Sequence, residues 1–210
     1  MKYTLIDVDG TNCYAVFSDR ERRVMLIDPA FEQDRILEAC RGFDIDKILL
    51  THGHMDHFYD CCLFSAPVYI SEKDKIYIEN RALSAPYNIF PYLEKRKYDI
   101  ADTFSDGDRI AFCEYSFEVL EVPGHTPGQC AFYAEGVLFC GDLIFKNSVG
   151  RTDFPGGNEA DMANSLSRIM TLPEDTVLCP GHGPLTNVRE EKYHNEFVEY
   201  YIRRYKNENK

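Results

Sequence analysis

Apolar and polar positions along this chain fall into blocks that predict strands followed by helix, twice over. Lys2 to Val8, Asn12 to Ser18 and Arg23 to Ile27 have the pattern of strands. The charged run Asp19-Arg20-Glu21-Arg22 turns the second into the third, and Asp28-Pro29 ends this meander. Phe31 to Arg41 is expected to be helical, with Ile36, Leu37 and Cys40 on one face and Gly42 as its stop. Lys47 to Leu50 returns to a strand whose Ile48-Leu49-Leu50 reads as buried. Phe58 to Phe64 then predicts a short helix, Val68 to Ile70 a short strand, and Glu72 to Arg81 another helix.

The second half repeats the order. Asp106-Gly107-Asp108 is a turn. Arg109 to Phe112, Phe117 to Val122, Gln129 to Ala134 and Val137 to Cys140 predict a second meander. Asn158 is placed to cap a helix through Thr171, with Glu159 and Asp161 in its first turn. Met162, Leu166, Ile169 and Met170 form its apolar stripe, and Pro173 closes it. Thr176 to Cys179 is a last strand and Val188 to Tyr205 a C-terminal helix. Such an order suggests two sheets with helices outside. Ala85 to Tyr92, aromatic and proline-broken, suits either a loop packed on the core or a flap walling a substrate site. The basic run Leu93-Glu94-Lys95-Arg96-Lys97 reads as solvated.

Composition narrows the class. The 210 residues show no internal linker, low-complexity tract or clear repeat, so 1–210 is expected to be a single domain. A formal net charge of -12 argues against a nucleic-acid partner, which needs a basic face. The N-terminus carries acids where a signal peptide needs an unbroken apolar stretch, and no apolar segment approaches the ~20 residues of a membrane span. The 8 cysteines include no Cys-x-x-Cys and sit mostly in apolar surroundings. They read as packed, reduced thiols of a cytoplasmic protein, not as a disulfide framework or zinc knuckle.

The chemistry lies where the strands end. Thr51-His52-Gly53-His54-Met55-Asp56-His57 follows the Ile48-Leu49-Leu50 strand directly. In extended backbone His52 and His54 leave on one side, and a turn can bring Asp56 and His57 to the same point. Imidazole nitrogens and carboxylate oxygens are metal ligands. His125, Asp142 and His182 each follow an apolar strand and a glycine, Gly124, Gly141 and Gly181. Four strand ends delivering ligand-type side chains point to one centre.

This set, with Gly124-His125-Thr126, Gly141-Asp142, Gly181-His182-Gly183 and the opening Asn12-Cys13-Tyr14 and Leu26-Ile27-Asp28-Pro29, resembles the metallo-β-lactamase fold superfamily. The resemblance implies an α/β (α+β) fold, a four-layer αββα sandwich with two divalent metal ions in the cleft between its sheets. It implies that His52, His54 and His125 hold one metal, that Asp56, His57 and His182 hold the other, and that Asp142 bridges them. It implies a hydroxide shared by the two ions as nucleophile, since metal binding lowers a water's pKa to about 7. Asp56 would both ligate and orient it. Asp28 and Thr126 are expected to support the ligands from behind. Zinc is the first expectation, and iron or manganese suit the same donors.

Within that superfamily the best-known β-lactamases place cysteine where Asp142 stands, which points away from antibiotic hydrolysis. His54 replaces the glutamate of the di-iron flavoprotein branch, and the acidic charge fits the tRNA-processing branch poorly. The segment Phe145-Lys146-Asn147-Ser148-Val149-Gly150-Arg151-Thr152-Asp153-Phe154-Pro155-Gly156-Gly157, with Gly183-Pro184-Leu185-Thr186, His194-Asn195 and Phe197, is similar to short glyoxalase-II-like hydrolases. The resemblance implies hydrolysis of a small acyl-thioester by a monomer or homodimer, with Arg151 either meeting the substrate or paired with Asp153. The helical domain that completes the thiol site of larger relatives is expected to be missing, which leaves glutathione recognition open. Two other readings stand beside it: a persulfide dioxygenase with one iron, and a non-enzymatic scaffold of the same fold.

Overall fold

The computed structural model describes residues 1–85 and 96–207. Three antiparallel strands open it: β1 (Lys2–Val8), β2 (Thr11–Ser18) and β3 (Arg23–Ile27). Helix α1 (Gln33–Ala39) crosses to β4 (Asp44–Leu49), which runs parallel to β3. The single turn α2 (Met55–Phe58) and a 3-10 turn at Cys61–Leu63 lead to β5 (Val68–Ser71). Helices α3 (Lys75–Glu79) and α4 (Arg81–Ser84) follow, and β6 (Ile100–Phe104) completes a six-stranded sheet in the order β1-β2-β3-β4-β5-β6.

The second sheet is built from β7 (Arg109–Phe112), β8 (Tyr115–Glu121), β9 (Cys130–Ala134), β10 (Val137–Gly141), β13 (Val177–Pro180) and β14 (Thr186–Asn187). Its order is β14-β13-β10-β9-β8-β7. Between β10 and β13 lie a separate hairpin, β11 (Ile144–Phe145) with β12 (Ser148–Val149), and helix α5 (Glu159–Ile169). Helices α6 (Val188–His194) and α7 (Glu196–Asn207) end the described chain. No helix among the described residues is long and apolar enough to cross a membrane.

The period of two along the strands builds the layers. On β2, Tyr14 and Val16 face the other sheet, while Cys13, Ala15 and Phe17 face the helices. On β10, Val137 and Phe139 point between the sheets, while Leu138 and Cys140 point to α5 and α7. Met162, Leu166 and Ile169 of α5 cover the second sheet, and Ile36 of α1 with Phe58 of α2 cover the first. The architecture is therefore the expected αββα sandwich. Phe139 sits at its centre, fully buried, with the rings of Tyr3 and Tyr14 at 5.5 and 5.2 Å.

Several boundaries differ from the sequence expectation for physical reasons. The helix expected at Phe58 begins at Met55, so Asp56 and His57 ride on it and not on a loop. The helix expected over Glu72 to Arg81 is two short ones, broken at Asn80. The C-terminal helix is also two, because Asn195 leaves helical conformation and caps α7 with its own side chain. Strand β6 was not expected: it is a sheet edge with exposed positions, so its apolar alternation is weak. Asn158 caps α5 as expected, accepting from the Asp161 amide at 3.0 Å. All eight cysteines are free thiols. The possible flap lies, from Pro86 onward, outside the described residues.

Candidate metal centre

Strand β4 delivers Thr51 and His52 from a fully buried Leu49-Leu50 end. Asp28, in left-handed backbone conformation at the end of β3 (φ +54), receives them. Its Oδ1 accepts from the Thr51 amide at 2.8 Å, and its Oδ2 from Thr51 Oγ1 at 2.6 Å and His57 Nδ1 at 2.9 Å. Because Thr51 Oγ1 spends its proton on Asp28, it accepts from His52 Nδ1, 3.1 Å away. His182 Nδ1 donates to the Gly10 carbonyl at 2.8 Å, and His125 Nδ1 to the Arg151 carbonyl at 2.7 Å. Four imidazoles thus have Nδ1 committed to an oxygen, which orients the ring and turns Nε2 to the centre. His54 is reversed, with Nδ1 2.8 Å from His125 Nε2.

These side chains converge. His52, His54 and His125 form one group of ligand atoms within 4.8 Å of one another, and Asp56, His57 and His182 another. Asp142 lies between them. Its Oδ2 is 3.5 Å from His125 Nε2 and 3.4 Å from His182 Nε2, and its Oδ1 is 3.4 Å from His57 Nε2. His57, His52 and Asp142 form a third group that joins the first two. All seven residues singled out in the sequence meet at one place.

Glycines make the approach possible. A Cβ on Gly181 would run into Asp142 Oδ1 and the His57 ring. Gly124 has φ +140, and a Cβ there would lie 2.5 Å from the Met162 backbone of α5, so His125 is held by a close strand-to-helix contact.

The electrostatics suit cations. Burial, then the charge of neighbouring imidazoles, holds His52 well below its ordinary value and His54 down at about 3, so both offer lone pairs. Burial is the largest single influence and works against charge on His57 and His182, but Asp142, joined by Asp28 at His57 and by Asp56 and the Gly10 carbonyl at His182, together push them up to about 10 and about 11. Burial alone would raise Asp142 and Asp56. The charge of His57 and His182 holds Asp142 far down, and the His182 hydrogen bond holds Asp56 down. His52 Nε2, His54 Nε2 and Asp142 Oδ1 are buried without a hydrogen-bond partner. Orphaned buried polar atoms facing a histidine-carboxylate cluster fit a metal-binding site, since leaving them unpaired costs about 1–3 kcal/mol each.

A cavity of about 370 Å³ opens onto the centre, walled by Phe145, Val149, Arg151 and Phe154 and reaching Ser84. Phe154 stands edge-on to His54 at 5.5 Å and Phe145 to His182 at 5.9 Å. Arg151 lines this cavity and also forms the local pair, with Nε and Nη2 at 2.6 and 2.7 Å from the Asp153 carboxylate and its guanidinium 3.9 Å above the Phe154 ring. Thr126 donates to Asp74 Oδ2 at 2.6 Å. Asp74 was not anticipated. Fully buried, it also accepts from the Gly53 and Gly128 amides at 2.9 and 2.7 Å, tying the two histidine loops together. Its signal was its place just after β5, where a polar residue follows a buried strand.

Known proteins are similar to this chain in sequence and fold. A Haemophilus influenzae protein named hydroxyacylglutathione hydrolase GloC is 32% identical over 201 residues, covering 89% of this chain and 92% of its own. The crystal structure of BLEG-1 B3 metallo-beta-lactamase superposes with a TM-score of 0.88 at 30% identity, over 94% of this chain and 99% of that one. TTHA1623 in a di-iron-bound form superposes at 0.78 with 33% identity, over 89% and 94%. Residues 6–182 match the family model described as the metallo-beta-lactamase superfamily, and the chain belongs to that family.

Proposed function

We propose that this chain is a cytoplasmic, binuclear metallohydrolase of small acyl-thioesters, with residues 1–210 working as one domain. The observation that carries it is the Asp142 carboxylate, set between His125 on one side and His57 and His182 on the other. That is where a ligand shared by two cations belongs. His52, His54 and His125 would hold one cation, Asp56, His57 and His182 the other, and Asp142 both. Cations bound there supply Lewis-acid polarisation of a carbonyl and acidify a bound water.

The chain's own groups do the rest. Asp56, held ionised beside His182, accepts a hydrogen bond from an attacking water and orients it. Phe145, Val149 and Phe154 give the acyl group apolar walls. Arg151 presents a planar guanidinium suited to a substrate carboxylate. Asp28 and Thr126 brace the ligand loops, Asp28 directly and Thr126 through Asp74. The relative named for hydroxyacylglutathione hydrolysis supports a thioester. Zinc heads the candidate metals, and the di-iron neighbour makes iron a necessary arm of any trial. The eight free thiols support a reducing compartment, and the acidic charge supports a small-molecule partner over nucleic acid.

The test is a substrate panel. Protein loaded with zinc, iron or manganese is assayed for thiol release from S-lactoylglutathione and simpler thioesters, and for opening of a β-lactam, which the BLEG-1 neighbour brings into the panel. The proposal expects thioester turnover that His54→Ala abolishes. Absence of any thioester turnover above that variant overturns it. Oxygen consumption with glutathione persulfide at one iron per chain would instead select the dioxygenase reading.

A further inference from the structure

The cleft wall beside Asp142 is a hairpin too short to hold itself. β11 and β12 pair through Ile144 with Val149 and Phe145 with Ser148, the Gly150 amide adds one bond to the Leu143 carbonyl at 3.2 Å, and Asn147 at the turn has φ +58. Isolated hairpins are marginal in water even when longer. The anchor is Glu191 on α6, whose side chain is fully buried. Its Oε2 accepts from the Asn147 amide at 3.0 Å and from Asn195 Nδ2 at 2.7 Å. Its Oε1 accepts from Thr186 Oγ1 at 2.6 Å. Asn195 Nδ2 also donates to the Ser148 carbonyl at 3.0 Å, while Asn195 Oδ1 accepts from the Phe197 and Val198 amides at the start of α7.

One buried carboxylate therefore joins three segments: the hairpin turn, the chain following His182, and the break between α6 and α7. Burying a carboxylate is costly unless donors fill it. Here three donors from three segments do so, which an apolar side chain of that size could not match. The hairpin they hold carries Phe145 and Val149, both in the cleft wall, and neither Glu191 nor Asn195 is among the cavity-lining or ligand-forming residues.

We propose that Glu191 and Asn195 are positioning residues that fix the Phe145–Val149 wall against His182 and thereby set which acyl groups the cleft accepts. The selectivity part rests on the hydrolase proposal, and the clamp itself does not. Glu191→Gln should preserve the clamp. Its amide oxygen can take the Asn147 and Asn195 donors, and its amide nitrogen can donate to the Thr186 hydroxyl. Glu191→Ala removes the acceptor from all three, leaving Asn195 Nδ2 only its bond to the Ser148 carbonyl.

The experiment compares the metal-loaded wild type with Glu191→Gln, Glu191→Ala and Asn195→Ala. Amide hydrogen exchange, metal content, and kcat and KM for an acetyl and a bulky aryl thioester are measured. In Glu191→Ala and Asn195→Ala, residues 143–150 should exchange at least about tenfold faster while residues 50–57 keep wild-type rates. KM should shift by about tenfold for the aryl substrate and much less for the acetyl one, with kcat and metal content kept. Glu191→Gln should track the wild type throughout. Unchanged exchange at 143–150 in both truncations overturns the proposal. So does equal loss of metal and of both substrates with no rescue by glutamine, which is the mark of a role in folding alone. If the wild type cleaves no thioester of the full panel, the hydrolase proposal falls, and the exchange pattern decides the clamp without it. Should Glu191→Ala fail to fold, Asn195→Ala carries the same comparison.

Discussion

His57 donates its Nδ1 proton to Asp28 Oδ2 across 2.9 Å, from a fully buried ring to a residue held in left-handed backbone conformation at the end of a strand. The contact fixes the ring so that Nε2 faces Asp142 and His182. The same carboxylate holds Thr51, and through Thr51 it orients His52. Asp28 thus places one ligand of each proposed metal.

Asp28→Ala should accordingly weaken metal binding without removing a ligand. Loss of such an orienting partner lowers affinity by about ten- to a hundredfold. Competition with a chromophoric chelator measures it. Wild-type affinity in the variant would mean that ring orientation comes from packing alone.

As proposed ligands, His57 and His182 would be contested by protons and metal. In the metal-free protein their pKa values are raised from 6.5 to about 10 and about 11, mainly by Asp142, which opposes burial. A raised value stabilises the fold fully below 6.5, and that stability is lost as pH climbs through about 10. The metal-free protein should therefore lose Tm progressively from pH 6.5 to about 11, the His57 part first and the His182 part last, and the loaded protein much less. Metal uptake at pH 7.5 should release protons, seen by calorimetry in buffers of different ionisation enthalpy. No proton release would contradict this charge arrangement.

Asp74→Ala strands the Gly53 amide, the Thr126 hydroxyl and the Gly128 amide in the interior. The expected loss is on the order of 3 kcal/mol in urea unfolding of the metal-free protein. Asp74→Asn, which keeps one acceptor oxygen, should lose less. A change within about 0.5 kcal/mol would show that the loops hold together without it.

Arg151→Ala should raise KM about tenfold for a thioester bearing a carboxylate and leave a neutral thioester unaffected. Arg151→Lys should not restore it, because a lysine can neither form the paired contact with Asp153 nor stack flat on Phe154. Equal effects on both substrates would confine Arg151 to tying its own loop.

The candidate site was legible in the sequence because its side chains cluster just after buried apolar strands, directly for His52, His125, Asp142 and His182 and one helical turn on for Asp56 and His57. The layers were legible for a related reason: Phe139 and Cys140 on β10 belong to opposite faces, as a period of two demands. What escaped has a common cause. Asp74 and Glu191 bind backbone amides far away in sequence, Gly128 and Asn147, and Asn195, named only within the resemblance, reaches the distant Ser148 carbonyl, so no local spacing announces these contacts. Strand β6 and the β11–β12 hairpin draw little on buried periodicity, the first at an edge and the second too short to show one. The break at Asn195 is a side-chain cap overriding a helical pattern that otherwise continues.

The central claim is that seven side chains hold two cations. The direct measurement is titration of metal-free protein with zinc or iron, counting bound metal per chain by elemental analysis alongside thiol release. Two equivalents per chain, with activity saturating at two and Asp142→Ala retaining no more than one, is the predicted result. Saturation of both binding and activity at a single equivalent would contradict it.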